Sequence, residues 1–492
     1  MNKFINAVSQ ETNYAVTENG ALARATTQSR VLDFFAQGGA VRNRADAEII
    51  RLFDRALSED ALLATKAMFY FRDVRGGQGE RVAFRKFLHH LGTVRPDIVR
   101  ANLGFIPHFG RWDDLYALVG TEVEAEAFAL MKMQFDIDVA SEKPASLLGK
   151  WLKSENTSSK ASRELGRKTR KAFDMEPRAY RKALSSLRRK LAIVERQLSS
   201  NEWGAINYEH LPSNAGKVYR KAFIRHDGAR YREYIGAVAK GEAKINVKDL
   251  FPYEIVREAY KFNPFDGADA VERKALDVSW KNLPNYFENV SDNGIVVADV
   301  SGSMYGLPIQ IAISLAIYCA ERNKGPFQDK FITFSNQPQL QTVEGSDIVQ
   351  KVNNLNNAHW DMNTNVEAVF NLILATALKH NLSQDDLPGK LYIVSDMEFD
   401  ACASRGGRIG KTLFENIKDR FERHGYKMPL LVFWNVNARN EQFPMSMDER
   451  GFQLVSGASP SVIRFLTTGT ALSAYDLMLE VLNSERYANL VV

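Results

Sequence analysis

The chain has 492 residues, of which 45% are hydrophobic and 25% are charged, as in ordinary globular proteins. This length favours two to four domains, each large enough to bury a core of its own. The eight histidines are scattered, with no HExxH motif and no His/Cys cluster at zinc spacing. The sequence therefore argues against a zinc hydrolase.

The cysteine content and the first residues of the chain indicate in which cellular compartment we expect the protein. Only Cys319 and Cys402 are present and no CxxC motif occurs, which favours a reducing environment over a disulfide-built secreted protein. The first residues show no signal-peptide pattern, and no run of about 18 apolar residues predicts a membrane span. We expect a monomeric, cytoplasmic protein without membrane contact.

Residues 1–285 read as a series of helices. Apolar residues recur at spacings of three and four, and glycines such as Gly92 and Gly110 separate the segments. Helices of about 10–15 residues with short connections predict stacked antiparallel pairs, as in a HEAT-like α-helical repeat domain. No fixed repeat period is visible, so the repeat is irregular.

After Pro284 the pattern changes to short β-branched runs that alternate with helical segments. Such alternation predicts a mainly parallel sheet with helices on both faces, a doubly wound, Rossmann-like α/β domain over residues 286–492. The strand candidates are 294–299, 330–335, 390–395, 429–435 and 451–456. The helix candidates are 307–323, 364–380, 409–425, 459–467 and 473–486.

Oxygen-bearing side chains follow two of these strands. Asp299, Ser301 and Ser303 form a DxSxS turn after the first strand, and Asp396 follows the strand KLYIVS. Thr364 precedes a predicted helix at the same sheet edge. Hard oxygen ligands at the carboxyl ends of parallel strands suit Mg²⁺ or Mn²⁺, so these residues predict a metal site. The alternative is an ordinary helix N-cap turn, which favours the same residue types.

The segments ADVSGSM and VSDMEFD, with the Thr364 loop between them, resemble the metal-ion-dependent adhesion site of von Willebrand A domains. The resemblance implies that Asp299, Ser301, Ser303, Thr364 and Asp396 bind the ion directly or through water. It further implies one open coordination position for a carboxylate of a protein partner, and a domain that is not, as a rule, catalytic.

Positive charge is concentrated in the middle of the chain. Residues 141–240 carry 23 Lys and Arg against 10 Asp and Glu, a net charge of +13, whereas the remainder carries −8. Interleaved cations and aromatics suit single-stranded RNA, although a solvated helix face has the same composition. The candidate RNA contacts are Lys150, Lys153, Lys160, Arg163, Arg167, Lys168, Arg170, Lys171, Arg178, Arg181, Lys182, Arg188, Arg189, Lys217, Arg220 and Lys221.

Arg178, Arg181, Ser185 and Arg189 share one face of a predicted helix. We expect Arg181, Arg188 and Arg189 to be exposed.

The order of the two domains resembles the Ro autoantigen, or TROVE-domain, family of RNA-binding proteins, in particular a branch found in phages, fungi and plants. The matching segments are FYFRDVRGGQGER (69–81), FIPHFGRWDDL (105–115), residues 200–227, FPYEIVREAY (251–260) and VFWNVNARNEQF (432–443). The resemblance implies a ring of helical repeats that binds small structured RNAs and single-stranded RNA ends. No RNA-contact motif of that family maps onto this chain residue by residue.

Three classes of function follow from these observations. The leading hypothesis is a non-enzymatic, Ro-like RNA-binding protein with a magnesium-binding von Willebrand A-type domain. The second is a metal-dependent protein-interaction scaffold without an RNA role, which a phage could encode. The third is an enzyme, which the sequence does not favour because no catalytic constellation is visible.

Overall fold

The computed structural model describes residues 12–262, 270–288, 293–334, 337–356, 365–400, 413–466 and 472–492. These residues form a mixed α/β structure with a helical N-terminal region and a C-terminal mixed sheet, which confirms the coarse fold class. Two compact units are present. The sheet unit is Met1–Ala67 with Leu250–Ala488, and the helical unit is Met68–Asp249 with Asn489–Val492.

The described N-terminal residues contain a small hairpin and three helices. In the hairpin, β1 (Ala15–Val16) pairs antiparallel with β2 (Leu22–Ala23). The helices are α1 (Arg30–Gly38), α2 (Asp46–Glu59) and α3 (Ala61–Arg72), and the division between the two units falls within α3.

The helical unit continues with mostly short helices. Proline occupies the first position of two of them, where its fixed φ and missing N–H cost nothing. A 3₁₀ segment, Trp112–Leu118, lies between the helices Phe105–Phe109 and Glu124–Ala140. In chain order the helices are α4 (Val82–Val94), α5 (Pro96–Asn102), α6 (Phe105–Phe109), α7 (Glu124–Ala140), α8 (Leu148–Trp151), α9 (Lys160–Ala172), α10 (Pro177–Lys190), α11 (Val194–Ser199), α12 (Ser213–Val218), α13 (Arg220–His226) and α14 (Gly228–Lys240).

A buried ion cluster lies inside the helical unit. The side chain of Asp114 has no exposed surface, and its two oxygens accept from Arg72 Nε and Arg85 Nε at 2.7 Å each. The backbone N–H of Arg111 donates to the same carboxylate at 2.9 Å. Arg72 is also almost fully buried, at 2% side-chain exposure. The carboxylate thus joins α3, α4 and the 3₁₀ segment in the interior.

The neighbouring residues extend this cluster to α9 and α10. Asp113 Oδ2 lies 2.8 Å from Arg85 Nη2 and 3.7 Å from Lys153 Nζ. Burial would raise the pKa of Asp113, but the charges of Arg85 and Arg111 hold it below its ordinary value. The Tyr116 hydroxyl hydrogen-bonds Thr169 Oγ1 of α9 at 2.9 Å, and the Tyr180 hydroxyl of α10 donates to the Lys153 carbonyl at 2.9 Å.

The sheet unit is built on a six-stranded sheet in the order β5-β4-β3-β6-β7-β8. All neighbouring pairs are parallel except β4 and β5, which are antiparallel. The central strands are buried along nearly their whole length, as expected for a sheet covered on both faces. The strands are β3 (Gly294–Ala298), β4 (Lys330–Thr333), β5 (Leu340–Thr342), β6 (Lys390–Ser395), β7 (Leu430–Asn435) and β8 (Phe452–Ser456).

The helices of the sheet unit agree closely with the predicted ones where both are described. The predicted strands are each found within one residue or two of their expected ends. The edge strand β5 was not predicted, because it is short and largely exposed. The helix Ile348–Asn356 was not predicted either. The helices are α15 (Pro252–Ala259), α16 (Ala270–Lys281), α17 (Leu307–Arg322), α18 (Ile348–Asn356), α19 (Val366–His380), α20 (Leu413–Arg423), α21 (Ile463–Leu466) and α22 (Ala474–Leu482).

The N-terminal residues are part of the sheet unit. Arg24 and Phe443 exchange backbone hydrogen bonds at 2.8 and 2.9 Å. Gly39 N donates to Ser456 Oγ of β8 at 3.0 Å, and a Cβ at position 39 would lie 2.8 Å from the Ser456 carbonyl oxygen. Glycine is therefore required at this contact.

Each compact unit therefore consists of two separate stretches of the chain. Residues 12–67 and helices α15 and α16 pack with the sheet, whereas the predicted boundary between residues 285 and 286 assigns them to the helical part. Apolar periodicity reports that a segment is helical, but not which surface it covers. Among the described helices, none combines the length and the apolar character needed to cross a bilayer.

We predict that Asp114→Ala destabilises the protein by about 3–5 kcal/mol, because it leaves Arg72 buried without its partner. Urea-induced unfolding followed by circular dichroism measures this loss. Asp97→Ala is the matched control, since Asp97 forms an exposed ion pair with Arg95 and its removal should change stability little. Equal effects of the two substitutions would contradict the structural role of Asp114.

Candidate functional site

The carboxyl ends of β3 and β6 meet in the middle of the sheet. The chain leaves β3 toward β4 on one side, while β6 lies on the other side of β3. This is the point where strand order reverses, and open α/β sheets bind ligands at such a crevice. Ala298 pairs with Val394, so Asp299 comes level with Ser395, the last residue of β6. Asp396 is the next residue along that chain segment.

Asp299 is held rigidly in the interior. Its side chain accepts from the Ser301 backbone N–H at 2.8 Å and from Ser395 Oγ at 2.6 Å. The hydroxyl oxygens of Ser301 and Ser303 lie 3.1 Å apart. The DxSxS turn thus brings a carboxylate and two hydroxyls together directly after β3, as the sequence predicted for these three residues.

Asp396 is fixed by the turn after β6. Met397 adopts a left-handed φ of 67°, a conformation that long side chains seldom take. The turn lets the Met397 N–H donate to Ser395 Oγ at 3.0 Å and the Glu398 N–H donate to Asp396 Oδ1 at 3.2 Å. Strained backbone of this kind is concentrated at functional sites.

A cation from the segment after β7 contacts the carboxylate of Asp396. Arg439 Nε donates to Asp396 Oδ2 at 3.2 Å, and Arg439 Nη2 lies 2.8 Å from Glu18 Oε2. Asn437, on the same segment, donates to the Ser303 carbonyl at 3.5 Å. The sequence analysis missed Ser395, Asn437 and Arg439 as site residues. The signal for Asn437 and Arg439 was the pair of polar residues shortly after β7, at the sheet edge where the other strands already carried candidates.

The buried carboxylates repel each other. Burial and the nearby charge of Asp396 raise the pKa of Asp299 from 3.8 to about 6. Burial also raises the pKa of Asp396, against the opposing influence of Ser303 and Arg439. Both carboxylates are thus costly to ionise in the metal-free protein, and a bound cation would relieve that cost.

These residues fit a divalent cation. Asp299 and Asp396 would supply carboxylate oxygens and Ser301 and Ser303 hydroxyl oxygens, which are the ligands that Mg²⁺ and Mn²⁺ prefer. Thr364, the remaining predicted ligand, lies outside the described residues. Within the described part of the chain, no group of three or more His, Cys, Asp or Glu side chains has the arrangement of a metal site. A site in the described region would therefore depend on the hydroxyls as well as on the two carboxylates.

The basic segment of the helical unit forms a second candidate site, and its cations fall into two groups. The first group is exposed, and the described residues give its members no ion pair. We call this group the exposed cations. They are Lys160, Arg167 and Lys171 of α9 with Arg178, Arg181, Lys182 and Arg189 of α10.

The other predicted RNA contacts already have partners or are less accessible. Lys168 pairs with Glu124 and Lys150 with Glu195, Lys153 pairs with Asp113, and Arg170 pairs with Glu155. Arg163 donates to the backbone carbonyls of residues 157 and 158. Lys217 is half-buried and Lys221 is exposed, and each of them interacts with another residue.

Two arginines are corrections to the predicted RNA surface. Arg188 is half-buried and donates to the carbonyls of Gly149 and Leu152 at 3.1 and 2.9 Å and to Ser154 Oγ at 3.0 Å. The expectation that Arg188 is exposed was therefore wrong. Arg220 is buried, at 5% exposure. Helical periodicity placed both on helices but did not reveal the segments that cover them.

We predict that Asp299→Asn stabilises the metal-free protein near neutral pH. The pKa of Asp299 is higher in the folded state, so the folded protein binds more protons between pH 3.8 and about 6. The free energy of unfolding therefore falls as pH rises through this interval, by on the order of 3 kcal/mol. Asparagine keeps the shape of the side chain without its charge. Above pH 6 the free energy of unfolding of the variant should therefore exceed that of the wild type by about 1–3 kcal/mol.

Urea unfolding in EDTA and in Mg²⁺ measures both consequences of Asp299→Asn. The wild-type protein should gain stability from Mg²⁺ and the variant should not, because a hard cation loses its strongest ligand. Asp385→Asn, which removes an exposed carboxylate of the same unit, serves as the control. A variant that is destabilised in EDTA and still stabilised by Mg²⁺ would contradict this description of the site.

Comparisons with known proteins reveal two families. The family described as domain of unknown function DUF7788 matches residues 293–487, and the family described as domain of unknown function DUF2828 matches residues 17–147 and 145–294. The break between them lies directly before β3. Neither description refers to RNA or to a metal, so both ligands stay predictions.

The chain is also similar to the uncharacterised protein L728 of Acanthamoeba polyphaga mimivirus. The two are 29% identical over 518 aligned positions, which cover 96% of this chain and 87% of the relative. No solved structure matches the chain. Because the DUF2828 matches together span more than half of its length, the chain belongs to the DUF2828 family of domains of unknown function.

Proposed function

We propose that the protein is a non-catalytic, Ro-like RNA-binding protein whose helical unit binds single-stranded or small structured RNA. In this proposal the helical unit is a HEAT-like repeat and the sheet unit contains a von Willebrand A-type domain. A cytoplasmic location is part of the proposal and follows from the low cysteine content.

The observation that carries the proposal is the set of exposed cations. On α10, Arg178, Lys182 and Arg189 follow at spacings of four and seven residues, so they project from the same face of the helix. The buried side chains Tyr180 and Leu184 occupy the opposite face. Cations on an exposed face that have no carboxylate partner are available to neutralise phosphates, and they release counterions when they do so.

The metal site supports a second role in the same protein. If Mg²⁺ or Mn²⁺ binds at Asp299, Ser301, Ser303 and Asp396, it supplies a Lewis-acidic centre that a carboxylate of a partner can complete. Tyr305, two residues beyond the hydroxyls, is 90% exposed and presents an aromatic surface beside them. An exposed aromatic is typical of the anchors that protein partners use. A metal-dependent protein scaffold is accordingly the second candidate function.

The test of RNA binding is the variant Arg178→Glu, Arg181→Glu, Arg189→Glu. We expect it to bind a single-stranded RNA more weakly than the wild type in fluorescence anisotropy, largely irrespective of sequence. The slope of log affinity against log salt should flatten by about 0.7 for each phosphate that the variant no longer neutralises. The substitutions lie on an exposed helix face, so each should change stability by no more than about 0.5 kcal/mol.

Two controls separate RNA binding from net charge and from the metal site. Arg232→Glu, Lys240→Glu, Lys248→Glu changes the charge equally at exposed positions of the same unit outside the two basic helices, and should retain most of the affinity. Asp299→Asn should also retain it, because the sheet unit carries the metal site. If wild-type protein binds RNA no better than the α10 variant at low salt, the RNA proposal fails and the scaffold takes its place.

A further inference from the structure

A pocket of about 630 Å³ lies in the helical unit beside α8, α10 and α11. Its volume falls within the usual range for small-ligand sites, about 300–1,000 Å³. Trp151, Leu184 and Ile193 give it apolar walls, and Lys150, Arg181 and Arg196 contribute positive charge. The pocket therefore joins an aromatic surface to cations, which is the combination that a nucleotide requires.

The aromatic wall has one face already covered. The Arg111 guanidinium lies 4.0 Å from the centre of the Trp151 ring, within the range of a cation–π contact. Trp151 is only half-buried. Lys150 Nζ also lies 5.9 Å from the centre of this ring, and the ring lines the pocket. Arg111 also lies 3.1 Å from Asp113, so the buried ion cluster fixes the guanidinium that supports the ring.

Arg188 orders the segment that contains Trp151. Its hydrogen bonds to the carbonyls of Gly149 and Leu152 flank the tryptophan on both sides in sequence. Gly149 lies so close to α10 that a Cβ there would be 2.8 Å from Leu187 Cβ. The wall of the pocket is therefore preorganised, which lowers the entropic cost of binding.

The cations of the pocket are not equivalent. Lys150 Nζ pairs with Glu195 Oε1 at 3.1 Å, so much of its charge is already neutralised. Arg181 and Arg196 are exposed, and the described residues provide neither with a carboxylate partner. These two guanidinium groups are thus the ones available for phosphate oxygens, which arginine binds in a bidentate manner.

We propose that this pocket receives one unpaired nucleotide of a single-stranded RNA, with its base against Trp151 and its phosphates at Arg181 and Arg196. The inference rests on the proposed RNA-binding function and assigns one particular position to it. A stacked base adds affinity that does not depend on salt, whereas the exposed cations add affinity that does. The two contributions can therefore be measured separately.

The experiment compares two probes, a decamer of adenine ribonucleotides and the same ribose-phosphate backbone without bases. Trp151→Leu should weaken binding of the adenine decamer by about 5- to 100-fold, the range expected when one base no longer stacks on an aromatic ring. It should leave both the salt slope and the affinity for the abasic decamer unchanged. Trp151→Phe, which keeps an aromatic ring, should stay within about 3-fold of the wild type.

A second variant guards against misfolding of Trp151→Leu, which thermal melting would reveal. Ser185 lines the pocket from α10 and is exposed, so Ser185→Leu places a larger side chain in the pocket and leaves residue 151 unchanged. It should reproduce the loss for the adenine decamer and spare the abasic one.

The outcomes distinguish the two proposals. If the wild type binds the adenine decamer and the α10 triple variant does not, but Trp151→Leu and Ser185→Leu both bind like the wild type, the pocket inference is overturned. If the wild type itself fails to bind the decamer better than the triple variant at low salt, the RNA-binding function fails with it.

Discussion

The carboxylate of Asp114 is the point on which the helical unit depends. It is completely buried and accepts from two arginines and one backbone N–H, so α3, α4 and the 3₁₀ segment are joined through one charged group. An ion buried in this way is costly unless every oxygen has a partner. Once it is satisfied, the adjacent Asp113 and Tyr116 are fixed, and they reach Lys153 and α9.

The consequence extends to the surface that we propose to bind RNA. Arg111 contacts Trp151 and lies beside Asp113, and Tyr180 of α10 bonds the Lys153 carbonyl. The helices that carry the exposed cations are thus held by the same polar network. A flexible basic loop would lose much conformational entropy on binding a phosphate chain, whereas these cations project from helices whose positions are already set.

In the sheet unit the constraint is different, because two carboxylates lie together in the interior. Parallel pairing of β3 and β6 brings Asp299 and Asp396 close together, and burial together with the charge of Asp396 opposes ionisation of Asp299. Ionisation of Asp299 therefore lowers the stability of the metal-free protein, at the point of the sheet where strand order reverses. We would expect this compromise of the metal site that we propose, in which groups suited to a ligand are retained although they destabilise the unbound fold.

Much of the sheet could be predicted from the sequence, since continuous apolar runs such as 390–395 have few alternatives to a buried parallel strand. Asp299, Ser301, Ser303 and Asp396 followed because strand ends converge at one edge. Arg439 and Ser395 were missed, since hydrogen bonding between neighbouring loops leaves no periodic signal. The association of residues 12–67 with the sheet was missed for a related reason, because amphipathic helices do not specify the surface that they cover.

In the basic segment, too, the sequence pattern does not reveal which single residues are covered by other segments. Charge counting identified the region, but it treated Arg188 and Arg189 alike although they are neighbours. The structure separates them: Arg189 is exposed, and Arg188 turns inward to three oxygen acceptors of the Gly149–Ser154 segment. Only the position of that segment decides which arginine is available to a ligand.

The central claim, that RNA binds to the helical unit at α8–α11, is tested most directly by ultraviolet cross-linking of single-stranded RNA to the full-length protein, followed by mass spectrometry of the cross-linked peptides. Because aromatic side chains in contact with bases cross-link readily, we expect peptides from residues 148–199, with Trp151 among the modified residues. Cross-links confined to residues 293–487, or their absence at low salt, would contradict it.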